Sequence, residues 1–316
     1  MCRPSNESME VPDDTYADGA NAIVAVRMLE RLSKAEAPFF LSVGFSKPHL
    51  PFVAPKKYWD LYSKEDITLA AFPNRAKNSP DIAYKGNSLG EISSYSDIPE
   101  QGPLSNEKQK ELIHGYMAAT SYMDAQVGLL LDKLEALGLQ DNTVVILWGD
   151  HGFHLGDHGL WTKHTNFEQA VRSPLIISSP QGFSANKNNT PTEFVDIFPT
   201  LCELTNLDIP AHLPGKSLVP LMEDPNISLR FAALSQYPRG GRRMGYTLRS
   251  ERFRYVKWLQ MNYKNGERTG RLIATELYDY ENDPLETVNQ SSNPYYKAVI
   301  KAFENEFKKR NIAQLN

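Results

Sequence analysis

In the run Asn142-Thr143-Val144-Val145-Ile146-Leu147-Trp148-Gly149-Asp150-His151-Gly152-Phe153-His154-Leu155-Gly156-Asp157-His158-Gly159, an apolar segment gives way abruptly to Gly, Asp and His. The first six residues have the length and β-branched character of one buried strand. Such a change of composition marks a parallel strand whose C-terminal end delivers polar groups to a cleft. Four of the seven histidines lie between positions 151 and 164. A core strand needs no such cluster, so candidate chemistry is placed here.

Outward from this run, helix and strand patterns alternate. Ala17 to Ser33 carries Ile23, Val26, Leu29 and Leu32 at helical spacing, and Pro38 to Phe45 reads as a buried strand ending at Ser46-Lys47-Pro48-His49. Residues 66–104 are polar and proline-punctuated, as in a long functional loop. A long helix is expected from about Ser105 to Gly138, with Ile113, Tyr116, Met117, Met123, Val127, Leu130, Leu131 and Leu134 as its stripe and Asp124 as a buried structural anchor. A strand at Pro174-Leu175-Ile176-Ile177 and a helix around Val195–Leu204 follow. This order predicts an α/β fold, a largely parallel sheet sandwiched by helices.

Near residue 225 the pattern changes. Short aromatic strands at 232–237, 245–249, 253–258 and 276–280 predict a small antiparallel sheet, closed by a helix from about Pro294 to Lys309. The expected domains are therefore 1–225 and 226–316. Tyr246, Tyr255, Trp258, Tyr278 and Tyr280 fit the core of the small sheet better than a carbohydrate platform.

Composition narrows the function. A chain of 316 residues with 41% hydrophobic and 23% charged residues suits a globular protein with a large core. A formal charge of −4 without a basic stripe argues against nucleic acid. No apolar run reaches the length of a membrane span. The polar start Met1-Cys2-Arg3-Pro4-Ser5-Asn6 does not read as a signal peptide. Cys2 and Cys202 are too far apart in sequence to suggest a disulfide framework. His154 and His158 have the i, i+4 spacing of a zinc helix, but Gly156 between them and the missing glutamate base argue against zinc proteolysis.

Four stretches together resemble one family. They are Pro38-Phe39-Phe40-Leu41 through Lys47-Pro48-His49-Leu50-Pro51-Phe52; Tyr122-Met123-Asp124 with Val127-Gly128-Leu129-Leu130; Asp150-His151-Gly152 through Gly159 with Trp161 and Lys163; and Ser235-Gln236-Tyr237-Pro238-Arg239, Met244-Gly245-Tyr246 and Glu276-Leu277-Tyr278-Asp279 with Asp283-Pro284. Their order is similar to that of the C-terminal part of the type I sulfatases, within the alkaline-phosphatase-like superfamily, and most of all the iduronate-2-sulfatase subgroup.

The resemblance implies a sulfuric ester hydrolase acting on a sulfated saccharide by a formylglycine and divalent-metal mechanism. It implies metal ligation by Asp150 and His151, with Ca²⁺ (or Mg²⁺) as the ion, contact of His49 and Lys163 with the scissile ester, and substrate contacts from Lys47, Phe153 and His164. A lysine after a strand is also commonly a solvated surface charge. His154 is read as a bystander of the loop. The chain departs from the family at its start: Cys2-Arg3-Pro4-Ser5 is followed by Asn6 where the formylglycine motif Cys-x-Pro-Ser-Arg requires Arg, and no strand with an aspartate pair precedes it. The chain is therefore expected to be a fragment, inactive alone, whose partner is the missing N-terminal segment with the formylglycine. The resemblance implies a periplasmic, secreted or lysosomal location. The alternatives are a phosphodiesterase or phosphatase of the same superfamily and a non-catalytic relative that binds sulfated glycans.

Overall fold

The computed structural model describes residues 3–84, 86, 88–267 and 269–315. It divides into two compact units, one running to Ala70 and including Leu89–Thr143, the other made of Ala71–Ser88 and everything from Val144 onward. This division lies elsewhere than residue 225, because the His-rich loop is bound to the C-terminal sheet through side chains described below.

In the first unit, β1 (Asn6–Met9) pairs in parallel with β2 (Phe52–Pro55), and helices α1 (Ala17–Leu32), α2 (Lys56–Trp59) and α3 (Asn106–Ala136) surround them. Ser105 caps α3, its hydroxyl accepting from the Lys108 amide at 3.2 Å. The buried face of α3 combines Leu112, Ile113 and Leu134 with the smaller Gly115, Ala118 and Ala119 and with Tyr122 and Gln126. Small side chains let the strand come close, and a Cβ on Gly115 would stand 2.9 Å from the Phe52 side chain. Leu129 and Leu131 are consequently exposed, and Asp124 faces outward instead of anchoring the core. The buried polar anchor is Tyr122, whose hydroxyl accepts from the Gly19 amide at 2.6 Å and donates to the Asp13 carbonyl at 2.8 Å.

The second unit has β3 (Val145–Trp148), α4 (Glu168–Val171), β4 (Leu175–Ser178), α5 (Ile197–Leu204) and α6 (Val219–Glu223). The sheet follows, with β5 (Ala233–Arg239), β6 (Arg243–Arg249), β7 (Phe253–Gln260), β8 (Thr269–Asp279), helix α7 (Lys297–Lys309) and β9 (Gln314–Leu315). The five sheet strands lie in the order β5-β6-β7-β8-β9, antiparallel except for β8 with β9. Strand alternation sends successive β7 side chains to opposite faces. Tyr255 and Leu259 pack with Phe303 and Phe307 of α7, while Val256 and Trp258 pack with Leu160 and Phe167 of the His-rich segment. Tyr246, Tyr255, Trp258 and Tyr278 are buried.

The mixed α/β class holds, with two differences in the pairing. The runs at 143–148 and 174–177 do form strands, but β3 and β4 pair antiparallel. A parallel return needs a crossover long enough to carry the chain back along the sheet, and α4 is a single turn. The expected strand Pro38–Phe45 joins no ladder among the described residues, and Phe40 is 81% exposed. Among the described residues no helix is long and apolar enough to cross a membrane.

Tyr122→Phe keeps the ring but strands the buried Gly19 N–H and takes one donor from the Asp13 carbonyl, which keeps the Tyr16 amide. It should lower the unfolding free energy by about 1–3 kcal/mol, read as a shifted urea midpoint at unchanged slope; an unshifted midpoint would show that water replaces the hydroxyl there.

Candidate functional site

In the first unit the Lys47–His49 turn is held by α1. Asp18, buried in the first turn of that helix, accepts from the amides of Ser46 at 2.9 Å and Lys47 at 2.8 Å and from the Ser46 hydroxyl at 3.0 Å. The Lys47–Pro48 and Leu50–Pro51 peptides are both cis. Lys47 Nζ donates to the carbonyls of His49 and Pro51, each at 2.8 Å. Burial holds its pKa below the usual lysine value, with Asp18 opposing. The ammonium therefore closes the turn. His49 is half-exposed; its Nδ1 is 2.7 Å from the Leu50 carbonyl and its Nε2 3.7 Å from Glu91. A carbonyl only accepts, so Nδ1 carries a proton, and Nε2 is turned towards the Glu91 carboxylate.

In the second unit, the end of β3 runs directly into the loop. The Gly149 amide donates to the Pro174 carbonyl and that of Gly152 to the Ala170 carbonyl. Gly152 is required by space, since a Cβ there would lie 2.1 Å from the Gln169 carbonyl oxygen. This lays Asp150 and His151 across the C-terminal side of the strand. The Asp150 side chain is 87% exposed, and its Oδ2 is 3.6 Å from His151 Nε2. His151 Nδ1 donates to the Gly152 carbonyl at 2.7 Å. In the neutral ring that bond leaves the Nε2 lone pair on the side of Asp150, the orientation a metal-binding imidazole needs.

The donor set fits part of a shell for a hard divalent cation. Calcium takes six to eight oxygens, whereas no cluster of three or more His, Cys, Asp or Glu suited to a metal occurs among the described residues. Lys163 and His164 follow on the same loop; Thr162 Oγ1 accepts from the His164 amide at 3.2 Å and is 3.1 Å from its Nδ1. Phe153 and Lys163 are half-buried. Cys2 lies outside the described residues, and Cys202 is a buried free thiol.

His154 and His158 are fully internal. His154 donates from Nδ1 to the Asp157 carbonyl (3.2 Å) and accepts the Thr165 hydroxyl at Nε2 (2.8 Å). Burial, and then the neighbouring His158, push its pKa down to about 3. It is a neutral brace, more deeply built in than a bystander. His158 has φ of 57°, stacks on Phe167 at 4.3 Å and places Nε2 3.7 Å from Glu286. Glu286, itself at φ 55°, accepts from Arg254 Nε at 2.5 Å, from the Tyr280 hydroxyl at 2.5 Å and from the Glu168 amide at 3.2 Å. Burial would raise its pKa, but Arg254 above all, with His158 and Tyr280, holds it down at about 2.

The structure thus groups Lys47 with His49, and Asp150, His151, Phe153, Lys163 and His164 on one loop. Asp18 and Glu286, which support these two segments, gave no sequence signal beyond a helix-start aspartate and the Asp283-Pro284 motif.

Residues 1–207 match the family model described as sulfatase, and residues 156–313 that of the N-sulphoglucosamine sulphohydrolase C-terminal region. Human iduronate 2-sulfatase is 32% identical over 89% of this chain and 63% of its own length. A sulfatase of Formosa agariphila is 31% identical over 88% of the chain and 51% of its own. The chain therefore spans less than two thirds of these relatives. Two solved structures share the fold. A protein in complex with its substrate D-glucosamine-2-N,6-O-disulfate has a TM-score of 0.75 at 19% identity, covering 93% of this chain and 69% of that one. The phosphonate monoester hydrolase of Agrobacterium radiobacter has 0.76 at 24%, covering 98% and 63%.

The neutral His154 makes acid stability testable. Its folded pKa lies below the unfolded value of 6.5, so the unfolded chain binds the extra proton and stability falls as pH drops from about 6.5 towards 3. Glu286 adds a second loss, as pH falls from 4.5 towards 2. His154→Gln should flatten the first phase of a melting-temperature profile and leave the second; an unchanged slope between pH 6.5 and 5 would refute the assignment.

Proposed function

We infer that this chain, which belongs to the sulfatase family, forms part of a sulfuric ester hydrolase that removes sulfate from a sulfated saccharide. The observation that carries this reading is the exposed Asp150 carboxylate beside a His151 ring whose Nδ1 proton is already engaged. Asp150 and His151 would hold a calcium or magnesium ion, which supplies fixed positive charge where the sulfuryl oxygens become more negative.

The chain's own residues divide the remaining work. Lys163 presents a compact positive charge that suits a sulfuryl oxygen without strict geometry. His49, protonated at Nε2, gives a proton to the leaving alcohol. Phe153 and His164 border the sugar. Lys47 gives two of its three ammonium donors to carbonyls of the turn that carries His49, and its third would contact substrate.

We further propose that the nucleophile, a formylglycine, comes from additional sequence. Three facts support this: Asn6 interrupts the motif beginning at Cys2, the chain spans 63% of human iduronate 2-sulfatase, and the apolar run 38–45 makes no ladder among the described residues. The likeness to a phosphonate monoester hydrolase favours a second reading, hydrolysis of phosphonate or phosphate esters.

The 316-residue chain alone should turn over no aryl sulfate, and activity abolished by Cys2→Ala would overturn the proposed origin of the nucleophile. In the protein completed with the additional segment, Asp150→Ala, His49→Ala and Lys163→Ala should each lower kcat by about a hundredfold or more without unfolding it. Higher turnover of a phosphonate monoester than of any sulfated sugar would establish the second reading, and near-native turnover by Lys163→Ala would remove Lys163 from the site.

A further inference from the structure

Strand β5 ends on Arg239, whose guanidinium is bound by main-chain carbonyls of two distant segments. Nε donates to Ile82 O at 2.9 Å, Nη2 to Ala83 O at 2.8 Å and Nη1 to His164 O at 2.7 Å. The guanidinium also lies over the rings of Tyr237 and Trp258, 5.3 and 5.5 Å from their centroids, and the His164 ring rests on Tyr237 at 5.6 Å. Across the ladder Arg239 faces Arg243. Like charges directly opposite one another weaken a sheet, so what the sheet gains from an arginine here is confined to its packing over Tyr237 and Trp258.

What the arginine holds is the turn that carries Lys163. Within that turn the Thr165 amide donates to the Lys163 carbonyl at 3.0 Å, and Thr162 closes on His164. Thr165 is tied to His154. The His164 carbonyl, one residue beyond Lys163, is fixed from the sheet by Arg239. We propose that Arg239 is a positioning residue which, through the His164 carbonyl, sets the backbone from which Lys163 presents its ammonium to the sulfuryl group. This rests on the role given to Lys163 in the proposed function. A lysine at 239 would keep the charge but not the planar fork that reaches three carbonyls at once.

Hydrogen exchange on Arg239→Lys and Arg239→Ala tests the placement directly. Amides of residues 162–166 should exchange about tenfold faster or more in both variants, with those of β6 and β7 unchanged. Millimolar guanidinium should restore slow exchange in Arg239→Ala and leave Arg239→Lys unaffected. In the completed protein, Arg239→Lys should lower kcat about tenfold and leave KM within about twofold, since the lost interaction belongs to the transition state. Native exchange at 162–166 in both variants would overturn the proposal, as would acceleration spread evenly over the sheet or an unaltered kcat. If the completed protein with its native Arg239 hydrolyses no sulfate ester, the proposed function fails, while the exchange and guanidinium arms still decide whether Arg239 fixes this turn.

Discussion

A carboxylate removed from water, Glu286, lies at the junction of the second unit. An isolated buried charge is costly, and a buried carboxylate needs an opposite charge and hydrogen-bond donors around it. Arg254, Tyr280, the Glu168 amide and His158 surround this one group. Arg254 comes from β7, Glu168 opens α4 and His158 belongs to the loop after β3. One desolvated charge therefore joins the sheet, a helix and the candidate site. Beside it, Arg249 grips Glu168 with two bonds of 2.9 and 3.0 Å. Removing either member of the Glu286–Arg254 pair would leave the other buried and unpaired, so the arrangement has little tolerance for partial loss.

The sheet gains a second use from this. Its α7 face is an apolar core crossed by one ion pair, Lys257 with Glu304. Its other face mixes Val256, Trp258 and Tyr278 with Arg254 and Glu276, and on it lies the segment from Leu160 to Phe167. Trp258 Nε1 and the Tyr278 hydroxyl both donate to Glu276, while Arg254 Nη1 and Nη2 are buried without hydrogen-bond partners and the guanidinium lies over the rings of Phe167 and Tyr278. A loop rich in glycine and histidine has little apolar surface of its own to bury. Here it borrows order from a rigid platform, and its exposed residues, Asp150 foremost, are carried on a braced backbone.

Much of this was legible in the sequence wherever one periodicity governed. The apolar runs of β3 and β4, the aromatic strands of the small sheet and α7 all appear near their expected places, as does the abrupt entry into Asp150 and His151. Features set by partners far along the chain were not legible. Direction of pairing was one: β3 and β4 read alike whichever way they run. On α3, Ile113 and Leu134 of the expected stripe are buried, but Gly115, Ala118 and Ala119 share that face, while Leu131 and Asp124 are exposed. Nor did the sequence show that the Lys47 ammonium reaches two carbonyls of its own turn. The Glu168 amide and Glu286 stand 118 positions apart, and no local pattern announces such a meeting.

His158 and Glu286 share one further property: both hold left-handed backbone, at φ 57° and 55°, while their side chains face each other. Residues other than glycine seldom adopt this region, Asn, Asp and His being the main exceptions. Glycine at either position would relax the backbone and lose the contact; a bulkier substitute would keep some contact and strain the backbone. Very few amino acids meet both demands, and a change at one position alters what the other must supply. The two sites therefore form a narrow passage in sequence space, crossed more readily by paired changes than by single ones, although neither residue bears the chemistry proposed for the loop.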